Sequence, residues 1–69
     1  MTADVVAGQR VGGFIVLVDE EGMRHAVRCG AVLALSDMDE TGTDTVMVLP
    51  GGRAVTIRRP LHEVLSWFG

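Results

Sequence analysis

Between Thr45 and Ile57 two runs of apolar, largely β-branched residues flank Pro50-Gly51-Gly52, and no other stretch limits the possible folds as strongly. Proline fixes one backbone angle and glycine reaches the positive φ that a tight reversal needs, so the segment reads as a β-hairpin. Strand side chains alternate, which sets Val46 and Val48 on one face of the first arm and Thr45, Met47 and Leu49 on the other. In the second arm Val55 and Ile57 oppose Ala54, Thr56 and Arg58.

The flanks extend this pattern. Phe14 to Val18 is β-branched and apolar on both faces, Asp19 to Gly22 forms a polar turn, and Met23 to Arg28 alternates as a second strand. Gly30 marks a bend or bulge, after which Ala31 to Ser36 reads as a third strand with no polar face. Residues 1–13 carry three glycines and little periodicity, which suggests a mobile arm with a short extended piece at Val5-Val6. After Arg59-Pro60 the spacing of Leu61, Val64, Leu65 and Phe68 predicts a short amphipathic helix, with Trp67 off its stripe. A helix of about eight residues does not hold in water alone, so the stripe must dock on the sheet.

These elements make one domain over residues 1–69, mainly β: a four- to five-stranded antiparallel sheet or small barrel with a short C-terminal α-helix. A chain of 69 residues buries only about 60% of its unfolded surface. Its single cysteine, Cys29, excludes an internal disulfide, and no Cys and His spacing resembles a zinc module. Strands apolar on both faces need two covers, and one short helix supplies part of one. Together with a hydrophobic fraction of 48%, this points to a homo-oligomer, most simply a homodimer, with Val46, Val48 and Trp67 at the interface.

No apolar run is long enough for a membrane span and residues 1–13 lack the pattern of a secretory signal, so a cytoplasmic protein without membrane contact is expected, where a free thiol is stable. A net charge of −3 and the absence of tyrosine disfavour nucleic-acid binding. The acidic loop Asp37, Asp39, Thr41, Gly42 matches the first positions of a calcium loop, but Val48 stands where a bidentate glutamate is required. His25, Cys29 and His62 lack a fourth ligand of useful spacing, and Ser36 and Cys29 lack a visible base and oxyanion hole. The expectation is therefore no metal, no cofactor and no catalytic residue.

All six basic residues are arginines, the side chain suited to bidentate contact with carboxylate or phosphate. Arg24 and Arg28 share a strand face, and Arg58 and Arg59 sit at the strand-to-helix junction. Brought together, within one chain or across a dimer axis, they would form a pocket for a nucleotide, a phosphate or an acidic partner segment. Left apart, they solvate the surface and pair with Asp19, Glu20, Glu21 and Glu63.

The run from Asp44 to Ile57, followed by Pro60-Leu61-His62-Glu63-Val64-Leu65, resembles the small FlbD/SwrD family of bacterial proteins linked to flagellar motility. The shared order is Asp-Thr, an apolar strand, a Gly-basic turn, a second strand and a short helix. The resemblance implies a non-enzymatic accessory protein and carries over no catalytic residue. The sequence reading is thus a small bacterial or phage-type regulatory protein that works by protein association, with capture of an anionic small molecule at the arginines as the rival.

Overall fold

The structure, a computed structural model, describes residues 6–69; Val5 of the expected extended piece lies outside them. Six strands form two three-stranded antiparallel sheets. The first runs β1 (Arg10–Val11), β2 (Phe14–Val18), β3 (Arg24–Arg28), and the second β4 (Ala34–Asp37), β5 (Thr45–Leu49), β6 (Arg53–Ile57). Helix α1 (Leu61–Ser66) follows. A mainly β fold with a C-terminal helix is what the strand patterns imply, but the single four- to five-stranded sheet, or closed barrel, is replaced by two sheets. The cause is local. Cys29–Ala31 forms a 3₁₀ turn that carries the chain from one sheet to the other, so the strand expected from Ala31 starts only at Ala34.

The hairpin forms in the expected register, with Thr45 opposite Ile57 and Leu49 opposite Arg53. Gly51 and Gly52 close it at φ of 82° and 75°, angles that side chains with a Cβ resist. Across the first sheet Ile15 pairs with Val27 and Leu17 with His25, and these residues face inward. Ile15, Leu17 and Val27 meet Met47, Leu49, Val55 and Ile57 of the second sheet in one core, joined by Val64 of α1. Each such aliphatic side chain contributes about 1.5–3 kcal/mol when fully buried. Thr45 is the buried polar residue among them, and its hydroxyl donates to the Arg59 carbonyl at 2.8 Å, which removes the penalty of an unpaired oxygen. Val16, on the outer face of β2, is also buried, as the two-faced apolar pattern of this strand requires.

α1 is too short to persist unaided and is held from both sides. Val64 is buried, the helix packs on β4, and the residues after it, Trp67 and Phe68, lie against the core. The Arg10 guanidinium donates twice to the Trp67 carbonyl, from Nε at 3.2 Å and from Nη2 at 3.0 Å. Gly8 has φ of 87°, and a Cβ there would stand 2.6 Å from the indole nitrogen of Trp67. Of the expected helix stripe, Val64 points inward while Leu65 is 51% exposed, because the helix ends at Ser66 and Trp67 takes the inward place. The segment expected as a mobile arm contributes β1, and Gly8 and Gln9 continue it with backbone hydrogen bonds to Val16. Among the described residues no helix is long and apolar enough to cross a membrane.

Candidate functional site

The outward face of the second sheet follows directly from its register. Ala34, Val48 and Ala54 form one row across the three strands, and Ser36, Val46 and Thr56 form the next. None of the six carries a charge, in a chain of which 22% is charged. Val46 and Val48, two of the three residues expected at an interface, sit at the centre of this face and are half-buried by their neighbours. The third, Trp67, spends its side chain within the chain, half-buried against the core and over Gly8.

The four arginines proposed as one anion pocket do not meet: three of them are divided between two clefts and the fourth lines neither. Arg58 and Arg59 line a cleft of about 340 Å³ with Ala7, Val18, Asp19, Glu20, Gly22 and Ile57, where two acidic residues stand beside the two cations. Arg28 lines a second cleft of about 350 Å³ with His25, Ala26, Val27, Ala31, Leu49, Pro50 and Arg53. Arg24 lines neither. The second cleft holds two arginines, a histidine and no carboxylate. Among the described residues neither of its arginines pairs with a carboxylate, while its histidine meets Asp19 at 2.7 Å. Arg53 is not among the arginines that the sequence places together. Its relevance comes from the way the turn swings back toward β3, which no local pattern encodes.

The expected pairing of the arginines with Asp19, Glu20, Glu21 and Glu63 reduces, among the described residues, to Arg59 with Glu63 at 3.7 Å, one helical turn apart and exposed. Arg28 instead lies over the Phe14 ring, 4.9 Å from its centroid, so its cation rests on an apolar neighbour from the same ladder pair. A guanidinium held this way keeps its hydrogen-bond donors free for another group.

His25 is anchored by Asp19. Its Nε2 lies 2.7 Å from Asp19 Oδ2, while Asp19 Oδ1 accepts the amides of Glu21 and Met23, both at 2.9 Å. The histidine contact, followed by the Met23 and Glu21 amides, holds the Asp19 carboxyl below its ordinary value. An aspartate that orients an imidazole can serve general-base chemistry, but the cleft beside His25 is lined by no hydroxyl or thiol for it to activate. The pair pins the turn between β2 and β3.

In the acidic loop, Asp39 turns back on Thr41, accepting its amide at 3.0 Å and its hydroxyl at 2.5 Å, and Met38 and Asp44 join by a backbone bond of 3.1 Å. The Thr41 hydroxyl, then its amide, hold the Asp39 carboxyl below its ordinary value, and the three bonds together describe a closed hairpin connection. Among the described residues no three His, Cys, Asp or Glu side chains converge on a point that could hold a metal ion. Cys29 is a free thiol, half-buried in the 3₁₀ turn and packed against the core.

Comparison of the chain with protein-family models, with curated proteins and with solved structures finds no match.

Proposed function

We propose that the chain is a small non-enzymatic accessory protein that acts by protein association and forms a homodimer through the outward face of its second sheet. The observation that carries this reading is the uncharged patch centred on Val46 and Val48. Three strands about 4.8 Å apart and about five residues long give this face on the order of 200 Å². A standard interface covers about 800 Å² per partner, so the dimer supported here is weak and dissociates in the micromolar range or above. The half-buried free thiol suits a reducing compartment such as the cytoplasm. The FlbD/SwrD resemblance of the segment that forms β5, β6 and α1 agrees with an accessory role and adds no chemistry.

Sedimentation across the micromolar to millimolar range tests the proposal. A monomer–dimer equilibrium is expected, and Val48→Asp or Val46→Asp should abolish it while leaving the fold intact, because both side chains face away from the core. A wild-type chain that remains monomeric throughout, or a Val48→Asp variant that associates as well as wild type, removes this face from consideration.

The second cleft favours a second reading, capture of an anion, because Arg28 and Arg53 line it and no carboxylate does. The two readings use different surfaces and are separable by variant.

A further inference from the structure

The four consecutive residues His25 to Arg28 line the second cleft, and they belong to a free sheet edge, since β3 ends the order β1-β2-β3. The direction of its backbone groups follows from the hydrogen bonds around β2. Val16 donates to the Gln9 carbonyl at 3.0 Å and accepts from the Gly8 amide at 2.8 Å, so its peptide groups face β1. Its ladder partner Ala26 therefore occupies a non-hydrogen-bonded pair and turns its N–H and C=O away from β2, toward the free edge. The bonds that bracket the strand, Asp19 N–H to Met23 O at 2.9 Å and Cys29 N–H to Gly13 O at 3.3 Å, have the same parity and fix the assignment.

The other sheet edges differ. β1 is two residues long, α1 packs on β4, and β6 already receives the Glu20 amide on its Thr56 carbonyl at 3.0 Å. β6 is as long and also borders a cleft, but its edge carries that bond, whereas β3 joins a five-residue edge to a cleft that four of its own residues line, and Ala26 and Ala31 leave room there for another chain. Arg53 of β6 lines the same cleft as Arg28 at the end of β3, and neither meets a carboxylate among the described residues. Charged side chains on an edge strand can also serve simply to prevent edge-to-edge pairing. That role needs no cleft and no convergence of Arg53 from another sheet.

We infer that this cleft binds an acidic segment of a partner protein in extended conformation, which adds as a strand to β3 through the Ala26 peptide groups and sets its carboxylates against Arg28 and Arg53. Backbone pairing supplies the docking geometry and the two guanidinium groups supply the selection for acidic side chains. The occupant is peptide rather than a small anion because the wall offers a donor and an acceptor in strand geometry, of which an isolated phosphate uses only the donor.

The test uses the full chain, ¹⁵N-labelled, and a capped octapeptide of threonine and glutamate, Thr-Glu-Glu-Thr-Glu-Glu-Thr-Thr, whose glutamates fall on both faces of an added strand. Resonance shifts should concentrate at Ala26, Arg28 and Arg53, and exchange of the Ala26 amide should slow. The threonine–glutamine counterpart should bind about tenfold more weakly, and Arg53→Gln should weaken the acidic peptide about five- to tenfold. Ala26→Pro removes the edge donor without touching the β2 ladder, a place where a strand tolerates proline, and should abolish binding. If proline disturbs β3, an N-methylated peptide poses the same question from the ligand side and should fail to bind. Val48→Asp should bind the peptide as wild type does, which keeps this inference separate from the dimer. Equal binding of the N-methylated peptide, equivalent shifts with inorganic phosphate alone, or the same shifts on concentrating the protein without peptide would each overturn strand addition. So would shifts located elsewhere, or none.

Discussion

At Asp19 one carboxylate closes a turn in three directions: two amides bind Oδ1 and the imidazole of His25 binds Oδ2. These contacts favour the ionised form, so the folded chain holds the Asp19 proton less tightly than the unfolded chain, whose ordinary value is 3.8. A depressed carboxyl stabilises the fold fully above the unfolded value and loses that contribution as pH falls toward the folded one. Asp39, held low by Thr41, acts with the same sign. Melting temperature should therefore drop on acidification below about pH 4, and Asp19→Asn should make the drop shallower. The difference in melting temperature between wild type and Asp19→Asn should be largest near neutrality and shrink toward about pH 2. A difference that stays constant across this range would show that the turn is held by the amide contacts alone, with no contribution from the charge.

Among the elements, the hairpin and the strand from Phe14 were fully legible, because alternation and the Pro-Gly-Gly turn are local signals. The corner at Cys29–Ala31 was not. A break in an apolar run reads the same whether the strand bulges within one sheet or crosses into another, and only packing of Val27 on Met47 and its neighbours decides it. The clefts were hidden for the same reason: Arg28 and Arg53 are 25 positions apart and line one cleft only after the sheets have turned against each other. Helix α1 shows a third kind of loss. Its apolar spacing was visible, but its end was not, since the Trp67 carbonyl that follows it is held by Arg10, far away in the sequence. Arg10→Ala should therefore cost about 1 kcal/mol, the net value of such hydrogen bonds at an exposed site. For a domain of this size that corresponds to a fall of about 4–8 °C in melting temperature. Thermal denaturation measures it directly, and a fall no larger than that of a surface alanine control would mean that solvent already satisfies the helix end.

The molecule as a whole is two meanders that share one core, and neither has a core of its own. Residues 33–69 contain β4, β5, β6 and α1, yet Met47, Leu49, Val55 and Ile57 are covered by Ile15, Leu17 and Val27 from the other half. Removing those three side chains withdraws about 1.5–3 kcal/mol each. That loss is comparable to the about 5–15 kcal/mol that stabilises a typical domain, and it leaves an apolar sheet face open to water. Cutting at the 3₁₀ corner should thus give two fragments, 1–32 and 33–69, each with the narrow amide dispersion of an unfolded chain. Mixed in equal amounts, they should recover the dispersed spectrum of the intact protein. Trp67 reports the same event independently, because it lies in one fragment and packs over Gly8 in the other, so its emission should shift to shorter wavelength on mixing. A fragment 33–69 that is dispersed and tryptophan-buried alone would mean that α1 suffices to cover the second sheet, and that the first sheet is an attachment to a fold already complete.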